Sequence, residues 1–360
     1  MNDDWISWLK IENYGCIKCL ELQHLTRLHA FIGPNDSGKS TLLRALRVAV
    51  QVASNAFTVQ NGQISQPFDP QLEYGQRTSN IGIGFQDGLG MFVTSLGENR
   101  VRTFIKDRRG VSAETLLAHG LDERSVVREG TSEDAKTLGR RMIGQRLVRL
   151  DPDVMRKRSG LIPDGAAINL KSERGGGLPG IYDAIRDRRI ADFASIETEL
   201  KVLFPSIEAL QLKAISQSEK ILRVRLTNGV EVAADRMSEG LLYFLGFAAL
   251  PYLEPVSVLL VEEPENGLHP ARIREVVNVL KAISRNTQVL IATHSPLVIN
   301  ELEPEQVSLV TRTENEGTKV TPISKTANFE ERNKVYALGE LWLSYADGNL
   351  EEALVDKAEP

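Results

Sequence analysis

Residues 33–41 read "GPNDSGKST". The spacing matches G-x-x-x-x-G-K-[ST] in full, with Gly33, Gly38, Lys39 and Ser40 in the fixed positions. The run before it, "RLHAFI", is strand-like; after it, Leu42, Leu43, Leu46, Ala49 and Val50 fall at helical spacing. Strand, glycine loop and helix in that order build a cradle for phosphate. The loop from Gly33 through Pro34, Asn35, Asp36, Ser37 and Gly38 to Lys39, Ser40 and Thr41 is expected to turn backbone N–H groups inward. The helix N-terminus adds partial positive charge. Lys39 would bridge the β- and γ-phosphates of ATP, and the Ser40 hydroxyl would ligate Mg2+. Asp36 sets a carboxylate beside that site, but aspartate tolerates the left-handed backbone such a loop needs.

A second stretch, "VSVLLVEEP" at 256–264, reads as a buried strand with two acids at its tip. Unpaired carboxylates at the end of an apolar strand are costly to bury, and a bound metal gives them a reason. Glu262 is expected to help hold Mg2+, and Glu263 to polarise the attacking water. "IATHSP" at 291–296 puts His294 just past the next strand, as a candidate γ-phosphate sensor. "RMSEG" at 236–240 precedes a helix, so Ser238 and Gly240 stand at a helix N-terminus that can face an anion.

The 360 residues suit two compact lobes, or one domain with a large insertion. The 42% apolar and 25% charged residues are ordinary for a soluble protein, and no apolar run is long enough to span a bilayer. The acidic start, "MNDDWISWLK", lacks the pattern of a secretory leader, so the cytoplasm is expected. Cys16 and Cys19, in "CIKC", have no second pair to complete a zinc site. The net charge of −5 hides a basic middle, with roughly 20 Lys and Arg against roughly 14 Asp and Glu over residues 91–190. That excess suits either a nucleic-acid surface, with Arg140, Arg141, Arg156, Lys157, Arg158, Arg188 and Arg189 as contacts, or a solvated face.

Short alternating runs over 5–32 and 55–110 predict strands with tight turns, including a small antiparallel sheet. Residues 111–215 read as mostly helical and charged, broken by a flexible turn at "RGGGLPG". Strand character returns over 221–237. Helix, strand, helix and strand then alternate, which implies a parallel sheet with its site at the strands' C-terminal ends. The expected divisions are a first lobe (1–110), a helical insertion (111–215), a second lobe (216–325) and a helix with an acidic tail (326–360).

The motifs, in this order, resemble the ABC-type ATPases of the SMC and RecF group, and within it the AAA-like branch that includes the OLD-family ATPases. "LKIENYGCI" resembles the opening strand of that group, "GPNDSGKST" its Walker A, "MSEG" its signature, "LLVEEPENGLHP" its Walker B and D-loop, and "ATHSP" its switch histidine region. The resemblance covers 1–60 and 235–300. It implies an α/β P-loop fold of ABC-ATPase type: a parallel core sheet, an antiparallel N-terminal sheet and a helical insertion. It also implies a homodimer in which ATP is sandwiched between Walker A of one copy and Ser238 and Gly240 of the other. Met237 and Glu239 depart from the usual signature, and Glu262 stands where many relatives have aspartate; for the Q-loop glutamine that the resemblance implies as a further metal ligand, Gln86 in "GFQDG" is the candidate.

The resulting expectation is an ATP-dependent dimerising switch in antiphage defence or DNA repair. A RecF-like clamp on DNA gaps is one alternative, and a transporter ATPase subunit another. OLD-type relatives carry a Toprim nuclease after the ATPase, and the residues after 325 are too few for one. They read instead as a helix with Val335, Leu338, Leu341 and Trp342 on one face. That face either packs on the ATPase core or docks a separately encoded effector, expected to be a nuclease.

Overall fold

The computed structural model describes residues 5–57, 79–95, 100–107, 110–118, 126–127, 133–313 and 317–346. The chain opens with strands β1 (Trp8–Tyr14), β2 (Ile17–Leu22) and β3 (Leu28–Ile32), then helix α1 (Lys39–Phe57). Strands β4 (Asn80–Gly84), β5 (Gly90–Ser95), β6 (Arg100–Asp107), β7 (Gly110–Ala118) and β8 (Val126–Val127) lead to α2 (Glu133–Arg141). Next come β9 (Gln145–Val148), α3 (Pro152–Met155), β10 (Ser159–Gly160), α4 (Leu178–Arg188) and α5 (Ile190–Leu203). Strands β11 (Ile207–Ala214), β12 (Glu219–Leu226) and β13 (Glu231–Ala233) precede α6 (Glu239–Ala249). The last part holds β14 (Val258–Glu262), α7 (Pro270–Ile283), β15 (Gln288–Thr293) and α8 (Pro296–Ile299). It ends with β16 (Val307–Thr313), β17 (Gly317–Pro322), α9 (Phe329–Arg332) and α10 (Leu338–Ala346).

Two compact units result, one of residues 1–146, 256–262 and 284–360, the other of 147–255 and 263–283. The first unit holds two sheets. An antiparallel sheet runs β2-β1-β4-β5-β6-β7-β8. The core sheet runs β17-β16-β3-β15-β14, and β9 flanks β14 where the chain leaves for the second unit. Its strands β16, β3, β15 and β14 are mutually parallel. Helix α1 contacts β1, β4 and β5 of one sheet and β14 and β15 of the other. Its Leu42, Leu43, Leu46, Ala49 and Val50 are all fully buried, so the periodicity after Lys39 marks the element that joins both layers.

The second unit folds around α4, α5, α6 and α7 and the antiparallel strands β10, β12, β11 and β13. Here the expectation of a mostly helical 111–215 needs correction at both ends. Residues 110–118 pair with β6, and 207–214 pair with β12, so both are strands. Ile207 and Leu210 are buried while Glu208 faces solvent. Cross-strand pairing and burial override the helix-like composition of "EALQLKA". The "RGGGLPG" turn is also more ordered than expected. Gly177 takes a left-handed φ of 93° as the N-cap of α4, and Gly180 packs so closely that a Cβ would lie 2.3 Å from the Gly160 carbonyl oxygen.

The expected C-terminal helix exists, and most of its apolar face is already covered. Leu338, Leu341 and Trp342 are buried, α10 contacts α8, and the Gly339 N–H donates to Asn300 Oδ1 at 2.6 Å. Val335 lies before the helix and is exposed. The final residues, 347–360, lie outside the described ones. Among the described residues no helix is long and apolar enough to cross a membrane.

His29 sits inside β3, with Nδ1 3.1 Å from Thr26 Oγ1 and Nε2 2.9 Å from Ser308 Oγ. Burial lowers its pKa to about 4, because the charged imidazolium would be desolvated. The folded chain therefore keeps His29 neutral where the unfolded chain takes up a proton. This contribution to stability is present above the ordinary pKa of about 6.5 and is lost as pH falls towards 4, on the order of 3 kcal/mol in all. Urea midpoints at pH 7 and 4.5 should show a smaller acid loss for His29→Gln than for the natural chain.

Candidate functional site

The phosphate loop runs from the end of β3 to the start of α1. Pro34, Asn35 and Asp36 are exposed, Gly33, Ser37, Gly38 and Lys39 are buried, and Ser40 and Thr41 are half-buried. Asp36 has φ 61° and Gly38 φ 106°, so the loop takes left-handed turns of the kind from which anion-binding nests of N–H groups are built. Neither fixed glycine has room for a side chain. A Cβ on Gly33 would lie 2.1 Å from the Val310 carbonyl oxygen, and one on Gly38 2.5 Å from Thr318 Oγ1. Thr318 Oγ1 donates to the Ser37 carbonyl at 3.0 Å, and Cys16 Sγ donates to Thr41 Oγ1 at 3.4 Å. The β16–β17 hairpin and the β1–β2 turn thus brace the loop from two sides.

Lys39 Nζ donates to the carbonyls of Gly33 at 2.8 Å and Pro34 at 2.7 Å. The ammonium lies across the mouth of its own loop, where it can exchange carbonyl partners for phosphate oxygens. A hollow of about 400 Å³ opens beside the loop, lined by Lys18, Asn35, Asp36 and Arg312 among others. Arg312 Nη1 donates to the Asp36 carbonyl at 3.4 Å, which brings a second cation to the loop despite the Asp36 carboxylate.

Strand register delivers the other first-unit residues to the same edge. Thr293 pairs with Ile32, and Glu262 pairs with Ala292. Glu262, His294 and the phosphate loop therefore all leave the C-terminal ends of adjacent parallel strands. Glu262 is 4% exposed at the tip of a fully buried strand, while His294 is exposed. A buried carboxylate and the Ser40 hydroxyl supply hard oxygen donors of the kind Mg2+ takes. These residues fit that ion.

Gln86 does not join them. It lies in the β4–β5 turn, next to Gly84, which pairs with Trp8 at the start of β1. The phosphate loop is braced at the other end of β1, beyond Tyr14. The length of the strand, about 20 Å, separates the two. The reading of Gln86 as a metal ligand is thereby corrected.

The second unit carries the remaining candidates. Glu263 follows Glu262 directly but takes φ 50°, a left-handed conformation rare for glutamate. Asn266 Nδ2 donates to Glu263 Oε2 at 2.7 Å, and Arg149 Nη2 lies 3.9 Å from the same oxygen. Gly267, at φ 65°, lies under Tyr243 of α6, where a Cβ would come within 2.3 Å of the ring. Ser238 caps α6 as the sequence suggests, its Oγ accepting from the Leu241 N–H at 3.3 Å. Ser238 and Glu239 are exposed and Gly240 is half-buried, although Leu241–Leu250 behind them are all buried. Sequence reasoning missed Asn266, Arg149, Arg312 and Thr318. Only Asn266 lies within a quoted motif; the others are brought in by long-range packing.

A mixed sheet with a glycine-rich phosphate loop, an acid and a histidine at its parallel edge defines a P-loop fold. An SMC head bound to the C-winged helix domain of ScpA shares this fold, with TM-score 0.51 over 88% of this chain and 97% of that one, at 15% identity. A Smc head domain with an extended coiled coil, bound to the C-terminal domain of ScpA derived from Pyrococcus furiosus, gives TM-score 0.50 over 94% and 99%, at 14% identity. Residues 28–300 match the family described as "AAA domain, putative AbiEii toxin, Type IV TA system", and the chain belongs to that family.

Lys39→Ala removes the cation at the mouth of the loop. ATP affinity by calorimetry should fall at least about tenfold, the scale of a lost charge-assisted contact of 1.5–3 kcal/mol. An unchanged isotherm would remove the loop from the nucleotide site.

Proposed function

We propose that this chain binds ATP with Mg2+, hydrolyses it, and cycles between separate and ATP-clasped pairs of copies. The observation that carries the reading is the exposed Ser238–Gly240 corner at the N-terminus of the otherwise buried helix α6. A rigid helix N-terminus presented to solvent is suited to an anion brought by another molecule. The γ-phosphate held in the loop of a second copy is such an anion. Within one copy, Lys39 and the loop hold the phosphates, Ser40 and Glu262 hold the metal, Glu263 accepts a proton from water, and His294 contacts the γ-phosphate.

The family description names a toxin and a toxin–antitoxin system, which favours the defence reading over DNA repair. In that reading the ATP state controls a separately encoded effector, with a nuclease as the class sought. The effector contact would lie elsewhere than on Leu338, Leu341 and Trp342, since those side chains are buried. The DNA contacts expected in the basic middle are largely engaged within the chain. Arg141 pairs with Asp87, Arg156 with Asp153, Arg158 with Glu219, and Arg189 with Asp192. Arg188 donates to the carbonyls of Ala166 and Pro163.

Glu263→Gln keeps the shape of the base and removes its basicity. ATP binding should persist while steady-state hydrolysis slows about 100-fold or more. Size-exclusion chromatography with ATP should then show a trapped pair; normal hydrolysis would pass the role of base to another residue.

Ser238 should act on the nucleotide of the other copy. Lys39→Ala and Ser238→Arg subunits, each inactive alone, should regain part of the hydrolysis when mixed, because one composite site per pair is intact. Complete inactivity of a mixture shown to pair would count against the sandwich.

A further inference from the structure

Two side chains of unlike origin hold Glu263. Asn266 sits three residues on, within the same turn as the carboxylate it bonds, so it travels with that turn. Arg149 comes from another element, directly after β9, and its Nη2 lies 3.9 Å from Glu263 Oε2. Glu263 stands beyond the end of β14 at φ 50°, where no ladder neighbour fixes its side chain. The Arg149 side chain is 53% exposed and that of Glu263 30%. A pair this open adds little to stability. What it can fix is direction, and a general base works only when it points at the proton it takes.

A long side chain aims well only from a fixed backbone. Residues 149–151 are fixed by the loop that carries "RGGG" at 174–177. The Arg149 N–H donates to the Glu173 carbonyl at 2.8 Å, and the Asp151 N–H to the Arg174 carbonyl at 3.1 Å. The Arg174 guanidinium also pairs with the Asp151 carboxylate. Between these anchors Leu150 is buried. A Cβ on Gly175 would lie 3.1 Å from Leu150 Cδ2, and one on Gly246 of α6 would lie 2.6 Å from Leu150 Cδ1. Leu150 is clasped between two glycines, and Arg149 beside it stays on the open side.

The loop that does the clasping is itself closed. The Lys171 N–H donates to the Gly176 carbonyl at 2.7 Å, and the Gly175 N–H to the Ser172 carbonyl at 3.1 Å. The Gly176 N–H donates to Ser172 Oγ at 3.2 Å. Gly175 takes φ 87°, a conformation that side chains rarely adopt. A side chain there would also meet Met155, with Cγ 2.6 Å from the Cβ. The glycines therefore let the loop close directly on the segment that carries Arg149.

We infer that Arg149 is a positioning residue for ATP hydrolysis: its guanidinium, reaching from a clamped backbone, aims the Glu263 carboxylate at the attacking water. The inference rests on the reading of Glu263 as the base. Arg149 acts through that carboxylate and not on the phosphates. The 171–177 loop then has a part in turnover, because it holds the backbone from which Arg149 reaches.

The test uses the full chain in steady-state ATP hydrolysis with Mg2+, beside calorimetric ATP binding. Arg149→Met keeps the length of the side chain and removes the guanidinium. Its kcat should fall about tenfold or more, the scale of a misaimed catalytic group. KM and ATP affinity should stay within about twofold, since the phosphate contacts remain. The urea midpoint should not move, because the pair is open to solvent and the bond to Glu173 is made by backbone. Arg149→Lys, which keeps the charge without the planar fork, should recover part of the rate. Added to Glu263→Gln, Arg149→Met should change the residual rate by less than about twofold, because the group through which it acts has gone. Normal or faster hydrolysis by Arg149→Met, a loss confined to KM and ATP affinity, or a full further loss in the Glu263→Gln background would each overturn the inference. Normal hydrolysis by Glu263→Gln would remove the base and the inference together. Slow hydrolysis by Glu263→Gln beside normal hydrolysis by Arg149→Met would overturn the inference alone.

Discussion

The first unit depends on a loop that has no room for side chains. Gly33 sits against the Val310 carbonyl and Gly38 against Thr318, and these contacts come from the β16–β17 hairpin, far away in sequence. The loop makes left-handed turns that Asp36 tolerates and Gly38 adopts freely. The hairpin confines it, and the Cys16–Thr41 contact confines the first turn of α1. The phosphate cradle is therefore a property of the whole layered unit. The pairing of β3 with both β15 and β16 is what brings the brace, the histidine and the acid to one edge.

Much of this was legible in the sequence because it is local. A loop with fixed glycine spacing, an apolar run ending in two acids and a helix with buried positions at regular intervals each carry their physics within a few residues. Ser238 as the cap of α6 is of the same kind, since a cap bonds a neighbour three residues on. What escaped depends on partners distant in sequence. Residues 207–214 have a composition compatible with helix, and only pairing with β12 makes them a strand. Gln86 was read as near the site because nothing local reveals which end of β1 its turn adjoins. Trp8 and Gly84 are 76 residues apart, so the close approach of the Trp8 ring to the Gly84 backbone, where a Cβ would lie 2.1 Å from Nε1, has no signature in either stretch alone.

The apolar stripe near the C-terminus shows how one pattern admits two outcomes. Leu338, Leu341 and Trp342 follow helical spacing, which states that one face is apolar and nothing about what covers it. Contact with α8 supplies the cover, and the Gly339–Asn300 bond fixes the approach. Because α8 begins two residues after His294, this end of the chain supports the turn that presents the histidine.

The two consecutive acids illustrate how backbone geometry divides labour between identical side chains. Along a regular strand, successive side chains point to opposite faces, which would split Glu262 and Glu263 across the sheet. The strand stops at Glu262, and the left-handed turn at Glu263 redirects the second carboxylate towards Asn266 and Arg149. That conformation costs glutamate on the order of 1–2 kcal/mol, which the bond from Asn266 helps offset. Asn266 in turn is fixed by its neighbour Gly267, packed beneath Tyr243, and Tyr243 belongs to the helix that Ser238 caps. Within the second unit, the candidate base and the candidate signature are thus ends of one chain of packed contacts. Packing within the second unit thus couples the exposed cap at Ser238 to the Glu263 carboxylate. In the first unit, strand register sets Glu262 and His294 at one edge, and the hairpin brace sets the loop beside them.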